Sequence, residues 1–164
     1  MLSLPDFSRD LHARFAADRY LPLPGLVRPG SLPALSAIAG WGAVRVCDPL
    51  ERHVINSLHQ QGDTHGGHTD DYPPALVLFT EAPDDPADGG LLEHVPHAGL
   101  GALTTGAVRS AHHRPGDGYL LRSDVCAHRV TPLRRSGLRR TVLNFAYTTP
   151  DRQAAITPSA PEPY

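Results

Sequence analysis

Short apolar or alternating runs, separated by turn formers, fill the chain from residue 41 onward. WGAVRVC (41–47), HVINSLHQ (53–60), PALVLFTE (74–81), GLLEHV (90–95), GALTTGAV (101–108), GYLLRSDV (118–125) and RRTVLNFAYTT (139–149) all have strand length. GDTHGG, APDDPADGG, PHAG, HHRPGDG and PLRRSG lie between them. Strands of this length and spacing predict an antiparallel barrel or sandwich. No glycine loop opens a helix after a strand, which excludes a dinucleotide-binding or P-loop fold.

The first forty residues have another texture. Leu11, Phe15 and Ala16 recur among charges and predict a short amphipathic helix over 6–20. LPLPGLVRPGS (21–31) reads as an extended linker, because its prolines resist helix. SLPALSAIAG predicts a second short helix, capped at Ser31 and ended at Gly40. The expected organisation is a supporting segment over 1–40, a β-rich core over 41–150 and a frayed, proline-rich tail over 151–164.

The totals narrow the class. A chain of 164 residues suits one domain with a real core. The formal net charge of -2 gives no reason to expect nucleic acid or an anionic membrane as partner. No apolar run reaches membrane-spanning length, and MLSLPDFSRD lacks the form of a signal peptide, so a cytoplasmic protein is expected. Cys47 and Cys126 are too few for a disulfide framework and read as buried thiols.

The candidate chemistry starts at THGGHTDDYP, residues 64–73. His68 and Asp70 are two apart, so an extended backbone turns both to one face. Gly66 and Gly67 let the preceding chain turn tightly. His128, after the run GYLLRSDV, is the best third member. Two imidazoles and one carboxylate on one face form the facial triad of non-haem Fe(II) enzymes, with open positions for other ligands. Arg139 and Thr141 are also two apart and are expected to face the same interior. A guanidinium and a hydroxyl there could take one end of a dicarboxylate.

HRVTPLRRSGLRRTVLNFAY resembles the C-terminal core signature of the Fe(II)- and 2-oxoglutarate-dependent oxygenases, especially their phytanoyl-CoA hydroxylase-like and prolyl hydroxylase-like branches. The matching residues run His128, Val130, Pro132, Gly137, Arg139 and Thr141. His68 and Asp70 match the proximal pair, Gly89-Gly90 a glycine pair before a strand, and PGDGYLL (115–121) the step into the strand before the distal histidine. The resemblance implies a double-stranded β-helix, a jelly roll of cupin-like form, with one or two short N-terminal helices. It implies Fe(II) on His68, Asp70 and His128, 2-oxoglutarate and O2 as cosubstrates, and Arg139 with Thr141 as the carboxylate anchor. Gly137-x-Arg139 and Arg139-x-Thr141 both favour Arg139, while the adjacent Arg140 takes its place if the register moves by one.

The implied reaction is hydroxylation of an aliphatic carbon in a small polar molecule, a free amino acid or a natural-product intermediate. Related iron halogenases carry a small residue in place of the carboxylate, so Asp70 favours hydroxylation, or another oxidation such as desaturation or ring closure. Asn56 is a further candidate for cosubstrate contact. Arg122, Asp71 and Tyr72 are candidates for substrate contact, although an edge-facing Arg122 needs no function. His65 is expected beside the metal ligands, His94 and His97 at the surface around Pro96, and His112 and His113 in a loop. Homodimerisation would cover open edges in so short a chain. Two other classes fit the same residues: a cupin-like metal enzyme without 2-oxoglutarate, and a β-sandwich binding module whose three metal-site residues are scattered.

Overall fold

The computed structural model describes residues 4–23, 44–46 and 53–153. The expected second helix, Trp41, Cys47 and the tail from 154 lie outside the described residues. Among the described residues, ten strands and three α-helices follow in order: α1 (Leu4–Asp18), β1 (Tyr20–Leu23), β2 (Val44–Arg45), β3 (His53–Leu58), β4 (His65–His68), β5 (Ala75–Glu81), β6 (Leu92–Pro96), α2 (Ala102–Thr105), β7 (Arg109–Ala111), β8 (Gly118–Leu121), β9 (Cys126–Val130), β10 (Arg140–Thr148) and α3 (Pro150–Gln153).

The strands form two antiparallel sheets. The major sheet runs β1-β8-β5-β10-β2, with β3 also paired to β10; the minor sheet runs β4-β9-β6-β7. From β3 to β6 and again from β7 to β10 successive strands alternate between the two sheets, and this is the double-stranded β-helix of the jelly-roll, cupin-like class.

Both faces of the major sheet are covered. Leu11 and Phe15, one turn apart on α1, pack with Leu21, Leu76 and Leu120 on its outer face. Val77, Phe79, Tyr119, Leu121 and Val142 fill its inner face with Leu92 of the minor sheet. ALVLF therefore reads as a continuous apolar run, because alternate side chains enter two different cores. Arg19 ends α1 in the left-handed region (φ 56°), its N–H donating to the Phe15 carbonyl at 2.9 Å. The chain then enters β1.

Two expected strands differ. GALTTGAV is not a strand: α2 occupies it, with the Thr104 and Thr105 hydroxyls donating to the Gly101 carbonyl at 2.8 and 3.0 Å. Leu103 seals the outer side of the minor sheet against Val95 and Ala127. GYLLRSDV holds only β8; a turn follows, closed by Val125 N–H to the Arg122 carbonyl at 3.1 Å, and Cys126–Val130 forms its own strand. That turn moves the chain from the major to the minor sheet.

Candidate metal centre

His68 ends β4 and His128 is the middle residue of β9, and the two are direct cross-strand partners. Paired residues in an antiparallel ladder point to the same side. Their rings meet at a centroid distance of 4.1 Å. Asp70 lies two residues beyond the strand. Its N–H donates to the Ser123 carbonyl at 2.9 Å, while the Ser123 hydroxyl donates to the Tyr72 carbonyl at 2.9 Å. Ser123 is fully buried, so the β8–β9 turn clamps the segment that carries the carboxylate.

One ligating atom from each of His68, Asp70 and His128 falls within 4.8 Å of the other two. His68 Nε2 is 3.4 Å from Asp70 Oδ1. The hydrogen bonding of both rings fits a metal. His68 Nδ1 donates to the Gly66 carbonyl at 2.7 Å and His128 Nδ1 to the Cys126 carbonyl at 2.9 Å. Each bond fixes the tautomer that leaves Nε2 with a free lone pair. Burial, with the His68 ring beside it, pulls the His128 pKa down to about 4, so this ligand is neutral at physiological pH. Two nitrogens and one oxygen that converge on one point suit Fe(II).

The interior extends from this centre. Arg140, at the start of β10, is 2% exposed. Its Nε donates to the Gly90 carbonyl at 3.1 Å, and its guanidinium lies 5.0 Å from the Phe79 ring centroid, with the Tyr119 ring 6.0 Å from that of Phe79. Burial lowers its pKa, yet an arginine stays charged. Among the described residues no carboxylate pairs with it. Gly90 can approach because it and Gly89 have φ of 69° and 84°; a Cβ on Gly89 would sit 2.0 Å from the Pro132 carbonyl oxygen.

Arg139 and Thr141 do share a face, but it is the outer one. Arg139 is exposed and borders a depression with Glu81, Asp84 and Asp88. The Thr141 hydroxyl bonds Ser57 at 3.0 Å and Glu81 at 2.5 Å. Strand alternation gives the interior to Arg140 and Val142 instead.

The remaining candidates separate. Asn56 faces inward, its amide nitrogen 3.1 Å from His65 Nδ1, and its Oδ1 is buried without a partner among the described residues. His65 lies against His68 at 4.6 Å. Asn144 Oδ1 is also buried, with no partner among the described residues. Arg122 makes a fork with Asp124, 2.8 Å on both arms, and its orientation serves that turn. Asp71 is exposed, and Tyr72 is buried at 8% exposure, its carbonyl accepting the Ser123 bond. His97 bonds the Ala17 carbonyl at 3.0 Å and His112 the Pro83 carbonyl at 2.8 Å.

His94, expected at the surface, is interior, and His113, in the loop between β7 and β8 as expected, is buried as well. His94 is 2% and His113 6% exposed, and burial pulls both pKa values down to about 4. His113 stacks on Phe79 at 4.6 Å and receives the Tyr20 hydroxyl at 2.8 Å. A signal for His94 existed: it alternates with Leu92 in GLLEHV, on the face that Leu92 buries.

The family model for Halogenase D matches residues 27–160. The chain belongs to the Halogenase D family. With its two-histidine, one-carboxylate triad, this family member is a non-haem iron oxygenase of the Fe(II)- and 2-oxoglutarate-dependent superfamily. No curated protein matches it significantly by sequence. Solved structures share the fold at low identity. A prolyl hydroxylase from Trichoplax adhaerens, in complex with a hypoxia inducible factor peptide fragment, superposes with TM-score 0.69 at 8% identity, over 94% of each chain. The alpha-ketoglutarate-dependent epimerase SnoN from nogalamycin biosynthesis gives 0.65 at 13%, over 88% of this chain and 84% of the other. A Pseudomonas putida prolyl-4-hydroxylase gives 0.56 at 16%, over 87% and 92%. The convergence of the triad ends the reading of a binding module with scattered residues.

Proposed function

We propose that this chain is an Fe(II)- and 2-oxoglutarate-dependent dioxygenase that hydroxylates an aliphatic carbon of a small polar molecule, such as a free amino acid or a natural-product intermediate. The observation that carries the reading is Asp70. The family takes its name from a halogenase, and iron halogenases keep a small residue at this place to leave room for chloride. Here a carboxylate oxygen stands 3.4 Å from His68 Nε2 and fills it. Hydroxylation, in the manner of the hydroxylase-like branches, fits that ligand set better than halogenation.

When bound, the metal with its cosubstrate supplies the oxidising power; the protein holds and orients the parts. His68, Asp70 and His128 would hold the ion. Arg140 would grip the far carboxylate of 2-oxoglutarate. A buried guanidinium lacking an internal carboxylate is a strong site for an incoming one. The Gly90 carbonyl and the Phe79 ring hold its orientation. A cupin-like metal enzyme without 2-oxoglutarate gives this cation no task. The unpartnered amide oxygens of Asn56 and Asn144 favour a substrate rich in hydrogen-bond donors, as an amino acid is.

The test is an anaerobic Fe(II) and 2-oxoglutarate titration followed by the visible charge-transfer band, in the wild type, Arg139→Ala and Arg140→Ala. A band is expected in the wild type and in Arg139→Ala, with Arg140→Ala needing about 100-fold more 2-oxoglutarate. Absence of the band in the wild type overturns the reading. Succinate release across an amino-acid panel then narrows the substrate.

A further inference from the structure

A long side chain such as that of Arg140 does not hold one direction by itself, because several bonds turn freely. Its Nε is tied to the Gly90 carbonyl, and its guanidinium sits over the Phe79 ring at 5.0 Å. The aim of the guanidinium therefore follows the tilt of that ring. Phe79 is 2% exposed, on the inner face of β5, where it is the cross-strand partner of Val142.

His113, from the loop between β7 and β8, lies flat on Phe79. The ring centroids are 4.6 Å apart and the planes 12° apart. An apolar side chain could fill the same place, and burying an imidazole there costs desolvation. Burial, with the charge of Arg140 second, pulls the His113 pKa down to about 4, so the ring is neutral. A neutral imidazole brings what leucine or phenylalanine lacks, a hydrogen-bond acceptor on a flat ring. His113 Nε2 receives the Tyr20 hydroxyl at 2.8 Å.

Tyr20 opens β1, which is paired to β8, and its own ring is packed on His94 at 4.4 Å. Tyr119 of β8 closes the group, 5.1 Å from His113 and 6.0 Å from Phe79. Apolar packing is non-directional, whereas a hydrogen bond prefers a narrow range of angles. The Tyr20 bond thus sets the plane of the imidazole, the stack sets Phe79, and the guanidinium rests on Phe79.

We propose that His113, oriented by Tyr20, is a positioning residue that acts through Phe79 to aim Arg140 at the far carboxylate of 2-oxoglutarate. This rests on the role given to Arg140 above. His113 touches neither the metal nor the cosubstrate.

Calorimetry on the full chain loaded with Mn(II), a redox-silent stand-in for Fe(II), tests it with two ligands. 2-Oxoglutarate has the far carboxylate; 2-oxobutyrate lacks it. Tyr20→Phe deletes one oxygen and leaves every ring in place. It should weaken 2-oxoglutarate about fivefold and leave 2-oxobutyrate unchanged. His113→Leu removes both the flat ring and the acceptor, and should weaken 2-oxoglutarate about tenfold or more, again without effect on 2-oxobutyrate. His113→Gln keeps an acceptor and should recover part of that loss. Added to Arg140→Ala, His113→Leu should weaken 2-oxoglutarate no further, since two residues that act through one contact are not additive.

Equal weakening of both ligands would make His113 a general support of the interior and overturn the assignment. Unchanged 2-oxoglutarate binding in either Tyr20→Phe or His113→Leu overturns it too, as does full additivity with Arg140→Ala. If His113→Leu fails to fold, Tyr20→Phe decides with the same two ligands. A wild type that binds both acids equally well removes Arg140 as the anchor, and the reading above with it. A wild-type preference for 2-oxoglutarate that the Tyr20 and His113 variants leave intact removes this role alone.

Discussion

At the scale of single residues, the metal centre depends on a few atoms whose surroundings fix their orientation. Asp70 is the member least supported by regular structure, since it lies beyond β4 and is held through Ser123. Asp70→Ala removes the oxygen ligand and leaves both imidazoles in place. It should lower Fe(II) affinity at least about tenfold, and abolish substrate hydroxylation, as read by metal titration and product analysis. Ser123→Ala removes only the hydroxyl bond to Tyr72, so it should cost about 1 kcal/mol in urea unfolding and leave metal affinity within a few-fold of wild type. The triad was legible in the chain because His68-x-Asp70 is a two-residue spacing that a local rule can read. The inward arginine was not. Arg139 and Arg140 are adjacent, and alternation says that they face opposite sides without saying which side is inside.

At the scale of elements, the segment before β6 couples folding to the site. Gly89 and Gly90 carry positive φ, bring the chain against Pro132 and present the Gly90 carbonyl to Arg140. Gly89→Ala meets both a left-handed backbone and a 2.0 Å approach to a carbonyl oxygen. Destabilisation of about 3 kcal/mol or more is expected in chemical unfolding, with weakened 2-oxoglutarate binding in any folded fraction. Gly62→Ala is the control. Its φ is 92°, yet a Cβ there meets nothing within 4 Å, so only about 1 kcal/mol is expected. The helix α2 shows why GALTTGAV misled: an apolar-polar alternation of strand type also fits one helical turn that buries a single leucine.

At the scale of the molecule, the interior holds more titratable groups than its size suggests. His94, His113 and His128 are each depressed to about 4 from an ordinary value near 6.5. Below pH 6.5 the unfolded chain takes up protons that the native chain refuses. Stability of the apoprotein is therefore full above about pH 6.5, falls as the pH drops toward 4, and levels off below it. Each unit of depression is worth about 1.4 kcal/mol, so the three together should move the urea midpoint clearly between pH 7.5 and 5. Bound metal opposes the loss at His128. Adding Fe(II) or Mn(II) should raise the melting temperature at pH 7, and chelation should reverse that.

The sequence by itself determined the class of the fold and the chemical identity of the metal ligands. Run length, turn formers and a two-residue spacing are local properties, and they survive whatever the strands pack against. The tertiary structure alone decided which arginine enters the interior, that His113 is buried, and that Arg122 is tied to a turn. Those outcomes depend on which face is covered. α1 closes the outer face of the major sheet and the minor sheet closes its inner face, so both sets of alternating residues become apolar and the pattern no longer marks the inside.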